Sequence, residues 1–136
     1  MIPERLAPQA FALMRVVFGL IFMMYGLQKF GLLGGEAVPL ASIYGAAAMI
    51  EVIGGLLIAI GLFTRVTAFI ASGEMAFAYF IEHQPQGALP VQNMGVEAVL
   101  FCFAFLYVAA RGAGIWSVDS MMSRPHHVGE RLDRAA

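Results

Sequence analysis

The stretch ASIYGAAAMIEVIGGLLIAIGLF, residues 41–63, decides the fold. It carries a single charge, Glu51, in a run that is otherwise apolar or small. Crossing about 30 Å of hydrocarbon takes about 20 mainly apolar residues at about 1.5 Å each, and this stretch is long enough. Working outward from it, three more stretches read the same way. Spans are expected from about Phe11 to Phe30, Ala41 to Phe63, Val66 to Ile81 and Met94 to Ala110. The last two are shorter and interrupted by charge. Runs such as VVFGLIFMMYGL and AVLFCFAFLYVAA lack the strict alternation of a barrel strand, which argues against a lipid-facing β-barrel. The expected fold class is all-α, a four-helix transmembrane bundle.

Composition agrees. Of 136 residues, 60% are hydrophobic and 12% charged, with a mean hydropathy of +0.79. A soluble domain is about half apolar and about a quarter charged. An ordinary cytosolic enzyme and a disordered chain are excluded. A net charge of −1 leaves no basic surplus for nucleic acid. The lipid bilayer is the expected partner, with room for an oligomer. One cysteine, Cys102, excludes an internal disulfide and any multi-cysteine metal site.

The connections divide the chain into an N-terminal segment, 1–10, a membrane domain, 11–119, and a polar tail, 120–136. Gly31, Gly34, Gly35 and Pro39 mark a loop after the first span, Phe63-Thr64-Arg65 a tight turn, and HQPQGALPVQN a polar loop. Four spans put both termini and the middle turn on one side. Arg5, Arg15, Arg65, Arg111, Arg124, Arg131 and Arg134 fall there, and Lys29 alone on the other side. The positive-inside rule then makes both termini cytoplasmic in a bacterial-type inner membrane, with multiple passes. The first span exceeds the 7–15 apolar residues, roughly, of a signal-peptide core and lacks an A-x-A cleavage site, so it is expected to be retained. Trp116 and Tyr107 fit an interfacial belt near the inner face.

The informative residues are the ionisable ones within the spans, because a charge at a helix centre costs about 2.5–3.5 kcal/mol even on lenient scales. Glu51 and Glu74 lie near the midplane. Ala47, Ala48, Gly54, Gly55 and Ala59 surround Glu51 at helical spacing, and Ala71 and Ala78 flank Glu74, so both carboxyls face small residues and the interior. Arg15 and Lys29, close to four turns apart, share a face with Phe18, Phe22, Tyr25 and Gly26. Glu97 and Arg111 bracket a similar face in the fourth span, with Phe101, Ala104 and Val108 between them. Lys29 and Glu97 share a depth, which permits a Lys29–Glu97 pair. The alternative is structural: the charges pair only to fix which helix faces which, or Lys29 and Arg15 reach for the nearest interface.

Other residue types carry less. His126-His127 in the tail lacks further metal ligands, and His83 with Glu82 in the outer loop could hold a metal or a haem edge. No two histidines share the spans, so bis-His haem is excluded. Cys102 reads as a small apolar residue and the methionines as packing. No haem, flavin or metal motif is present, and no metal site is expected.

Several motifs resemble the DoxX family. The pattern R-x-x-x-G at Arg15 and Gly19 followed by Y-G-L-Q-K-F at 25–30 resembles its first helix. EVIGGLLIAIGLFTR, residues 51–65, resembles its second helix and the turn after it. Asn93 with Glu97, and GAGIWSVD at 112–119, resemble its fourth helix and exit. Tyr25 stands where the family often has a histidine, which weakens a metal role at that position. The resemblance implies a small four-helix inner-membrane protein of a family usually labelled oxidoreductase, with one relative in a thiosulfate:quinone oxidoreductase. The function expected is a membrane subunit of an oxidoreductase system holding a quinone or similar apolar ligand, with other membrane or soluble redox subunits as partners. Glu51 and Glu97 are the expected catalytic proton carriers. Tyr25, Gln28, Lys29 and Asn93 are the expected ligand-binding residues, and Arg15, Glu74, Arg65 and Asp119 a structural charge network. The alternative is a non-enzymatic assembly or export factor, or a small transporter, using the intramembrane charges.

Overall fold

The computed structural model describes residues 3–123 and is helical throughout, with no strand among the described residues. Its α-helices are α1 (Ala7–Lys29), α2 (Ile43–Ile60), α3 (Thr64–Ala78), α4 (Val96–Arg111) and the short α5 (Val118–Met122). The tail residues Arg124, His126, His127, Glu130, Arg131, Asp133 and Arg134 lie outside the described residues.

Local chemistry sets the helix ends. Pro8 sits in the first turn of α1, where its missing N–H is harmless. Ser42 caps α2 by accepting the Gly45 N–H. Gly61, at φ 73°, closes α2 while its own N–H and that of Leu62 turn back onto Ile58 and Leu57. The third helical path exceeds the expected Val66–Ile81, because α3 continues through a π-helical turn at Tyr79–His83 and a 3-10 turn at Gln84–Gln86. A π-turn of this kind inserts one extra residue and re-aims the side chains around it.

Two helix pairs make the framework. α1 packs closely on α2 and α3 on α4, with α2 and α3 joined more lightly. The α1–α2 seam is built from glycine. A Cβ on Gly19 would come within 2.7 Å of the Ala59 nitrogen, and one on Gly55 within 2.5 Å of the Met23 nitrogen. The two backbones therefore touch with no side chain between them. Across the other gap, α1 and α4 meet through rings. Phe22 lies 4.9 Å from Phe105, Phe18 5.4 Å from Phe101 and Tyr25 6.1 Å from Phe101, between centroids. These edge-on and tilted contacts keep α1 and α4 a side-chain layer apart.

An apolar core that includes Phe22, Ile58, Phe101 and Phe105 shares the interior with polar groups, and the exterior is apolar as well. Leu13, Val17 and Met24 on α1, Ile53 and Leu56 on α2, Val66 and Phe69 on α3, and Leu100 and Phe103 on α4 are exposed. Arg15, Glu51, Thr64, Ser72 and Asn93 are buried. An apolar exterior around polar groups is the distribution that lipid favours. Two helical segments, Glu4–Lys29 and Ile43–Ile60, are long and apolar enough to cross a membrane.

Three of the expected network residues hold helix ends rather than each other. Arg15, fully buried, donates to the carbonyls of Ile58 (2.7 Å) and Ala59 (2.8 Å) at the end of α2 and to Trp116 (2.7 Å). Arg65 donates to Ala109 (3.0 Å), Ala110 (2.5 Å) and Arg111 (3.2 Å) at the end of α4. The Asp119 carboxylate accepts the Phe63 and Thr64 N–H groups, both at 2.9 Å, and so caps α3 from outside. Each charge meets the helix terminus of opposite dipole sign. Arg111, expected on an inward face, is exposed, bonded to Tyr107 and stacked over Phe11.

Two predictions follow from this framework. Gly19→Ala should lower stability in detergent by about 1–3 kcal/mol, because backbone atoms block its Cβ. Gly73→Ala, with nothing within 4 Å of its Cβ, should be neutral or stabilising by up to about 1 kcal/mol. Thermal unfolding of the two variants checks the contrast. For Asp119, burial pushes the carboxyl up, but the Phe63 and Thr64 N–H groups and nearby Arg15 outweigh it and hold it below the ordinary carboxylate value. Its folded value lies below its unfolded one, so its contribution is complete above an unfolded value of about 4 and is lost as pH falls through the folded value. Asp119→Ala should lower stability by about 0.5–2 kcal/mol at neutral pH and flatten the acid limb of a stability-against-pH curve.

Candidate functional site

α1 to α4 line a half-open cavity of about 670 Å³ around the Lys29 end of α1. Its apolar wall includes Phe22, Met75, Phe77 and Phe101, and its polar wall includes Tyr25, Lys29, Glu51, Glu74, Glu82 and Glu97. This volume falls within the usual range for a small-molecule site, roughly 300–1,000 Å³.

Glu51 is the most enclosed of these groups, with 2% of its side chain accessible. The small face around it lets α1 approach: a Cβ on Gly26 would lie 2.8 Å from the Glu51 Cβ. Lys29, one turn further along α1, then reaches in, and its Nζ lies 2.5 Å from Glu51 Oε1. Lys29 stays 30% accessible, so the pair joins a buried acid to a half-open base. The second oxygen, Glu51 Oε2, is buried and has no hydrogen-bond partner, and Glu74 Oε2 is in the same condition. Both residues line the cavity. A buried carboxylate oxygen without a donor is costly and needs a proton or a ligand hydrogen.

The Lys29–Glu97 pair permitted by depth does not form. Lys29 takes Glu51, and Glu97, exposed at the rim, accepts the Tyr25 hydroxyl at 2.6 Å. Close packing at Gly26 puts α2 nearer to Lys29, whereas the aromatic layer holds α4 back. Glu51, Glu97, Tyr25 and Lys29 nevertheless line one cavity, and Glu74 joins them there instead of the helix-end charges.

Two expected ligand-binding residues are placed elsewhere. Gln28 is exposed and absent from the cavity wall. It lies one helix position from Lys29, about 100° around α1, with its main chain packed against Gly35. Asn93 is buried but organises the loop before α4. Its amide donates to Gly87 O (2.9 Å) and Tyr79 OH (3.3 Å), and its Oδ1 accepts the Gly95 N–H (2.9 Å). With both amide N–H groups and Oδ1 engaged in the loop, Asn93 is absent from the cavity wall.

The sequence reading also missed a contact. Tyr44 donates to Glu82 at 2.6 Å on the cavity wall, tying the start of α2 to the π-turn after α3. Tyr44 is seven residues before Glu51, two helical turns along the same face, and that period was the available signal. His83 lines the cavity beside Glu82 but engages the Asn93 carbonyl through Nδ1 at 3.1 Å. Cys102 packs between α3 and α4, where Ser72 donates to its carbonyl at 2.8 Å.

A family model described as DoxX matches residues 10–84, from α1 through the turns after α3. A protein of Haemophilus influenzae, described as an uncharacterized protein, is 37% identical over 125 residues, covering 86% of this chain and 93% of that protein. No solved structure matches.

The pairing can be tested directly. Lys29→Met removes the partner of a buried carboxylate and should lower stability by about 3 kcal/mol, the low end for a broken buried pair given the exposure of Lys29. Lys29→Met with Glu51→Leu should regain most of that loss. A double-mutant cycle read by unfolding in detergent would place the coupling on Glu51 rather than Glu97.

Proposed function

This chain belongs to the DoxX family, and from that membership we propose that it is the membrane subunit of an oxidoreductase system, whose cavity holds the ring of a quinone. In this reading α1 to α4 all cross a bacterial-type inner membrane, with both termini cytoplasmic. α3 and α4 are shorter, but the π-turn lengthens the third helical path, and the outward faces of both are apolar. The arginine-rich end that holds Arg15, Arg65 and Arg111 would face the cytoplasm.

The observation that carries the reading is an aromatic-walled cavity lined by two carboxyl groups, each with a buried oxygen that has no partner. A quinone ring would supply reversible two-electron chemistry with uptake and release of protons. Phe22 and Phe101 offer flat apolar walls to such a ring. Lys29 uses one N–H on Glu51 and retains others to donate to a carbonyl oxygen. Glu51 and Glu74 hold or release the protons that accompany electron transfer, and Glu97 with Tyr25 forms the rim through which they leave. With Cys102 as its one cysteine, the chain has no dithiol of its own, so the electrons would pass to or from a partner subunit.

Gentle solubilisation should recover quinone with the protein. Glu51→Gln should lower partner-coupled quinol oxidation about 100-fold or more, the range for a lost acid–base group. A preparation free of quinone, together with unchanged partner activity in Glu51→Gln, would overturn this function.

A further inference from the structure

Independently of the redox reading, we propose that this cavity is a binding site for a hydrophobic organic ammonium: a protonated amine carried on an aromatic or aliphatic body. Its N–H groups would meet Glu51 Oε2 and Glu74 Oε2.

Three features of the wall converge on that chemistry. The first is charge. Glu51, Glu74, Glu82 and Glu97 face one lysine across the same cavity. Lys29 is committed to Glu51 Oε1, so it offsets one carboxylate and leaves an acidic excess. The second is the hydrogen-bond inventory. Among the described residues, the cavity-wall side-chain atoms that are buried and without a partner are Glu51 Oε2 and Glu74 Oε2, and both are carboxylate oxygens. In its charged form a carboxylate accepts and does not donate, so an ionised Glu51 or Glu74 lacks a donor hydrogen, which an ammonium supplies. The Tyr25 and Tyr44 hydroxyls, which could have supplied them, are turned to Glu97 and Glu82 instead.

The third feature is the apolar wall. Phe22, Tyr25, Phe77 and Phe101 line the same space. Aromatic faces attract a cation, and the attraction grows where water is excluded. They also cover the carbon body of the ligand, which a bare metal ion or an inorganic cation would leave unused. Glu51 Oε2, on a side chain 2% accessible, and the buried Oε2 of half-buried Glu74 are both unpartnered on residues of one aromatic-walled cavity, and that is the arrangement that holds an ammonium head with an apolar tail. The cavity volume of about 670 Å³ accommodates a ligand of that size.

The test uses the full-length chain in detergent at neutral pH, where an alkylamine is charged. Equilibrium dialysis compares 4-phenylbutylammonium, its uncharged alcohol 4-phenylbutanol, and the trimethylammonium analogue that keeps the charge but has no N–H. The expected order is the primary ammonium first, the quaternary analogue several-fold weaker, and the alcohol at least tenfold weaker than the primary ammonium. Glu74→Gln keeps the shape of the side chain and should weaken the ammonium at least tenfold while leaving the alcohol unchanged. The three-ligand comparison on the unmodified protein needs no variant to fold. If the alcohol binds as tightly as the ammonium, or if no ligand binds, the site is not a cation site. If Glu74→Gln folds and retains the ammonium affinity, the assignment to these two carboxylates falls.

Discussion

The backbone contact between α1 and α2 governs the rest. Gly19 and Gly55 remove every side chain from the seam, and Gly26 continues it opposite Glu51 and Val52. Because the helices touch there, Arg15 reaches the last carbonyls of α2 and Lys29 reaches Glu51. A helix pair held at an ordinary side-chain distance would leave Arg15 and Glu51 as isolated buried charges, which a low-dielectric interior penalises heavily. The small residues are therefore part of the electrostatics, and their placement around Glu51 and Arg15 follows from that.

The ionisable groups separate into two sets with different partners. Arg15, Arg65 and Asp119 sit on helix termini and satisfy carbonyl or N–H groups that every helix leaves open. They fix the turns that connect α2 to α3 and α4 to α5. Glu51, Glu74, Glu97 and Lys29 face the cavity instead, and there the accounting of donors and acceptors does not close. Arg15 Nε and Thr64 Oγ1 at the first set and Glu51 Oε2 and Glu74 Oε2 at the second are buried without a partner, but the second two are acidic oxygens on residues of one shared cavity, which favours ligand chemistry at that end. The π-turn adds to this asymmetry, since it swings Glu82 and His83 to the cavity side beyond α3.

Much of this was legible in the residue order because membrane-type helices announce themselves by length and apolarity. The α1 and α2 runs, the tight turn at Thr64 and the gathering of Glu51, Glu97, Tyr25 and Lys29 all follow from hydropathy and helical period. The pairing was not legible. Depth along the chain allowed Lys29 to meet Glu97, but depth is one coordinate, and the lateral distance depends on how thick the layer between helices is. Glycine made the α1–α2 layer thin and phenylalanine made the α1–α4 layer thick, so Lys29 went to Glu51. Gln28 and Asn93 failed as cavity residues for related reasons. One is rotated off the facing side of α1, and the other spends both ends of its amide on a loop.

The order of residues alone therefore determined the helices and the inward bias of the charges, since each depends on local composition and on a period of about 3.6 residues, and it carries the motifs that mark the family. Only the tertiary structure decided which acid Lys29 engages, which charges close helix ends, and which two carboxylate oxygens remain open on a shared cavity. Those outcomes depend on distances between segments far apart in the chain, and a linear pattern does not encode them.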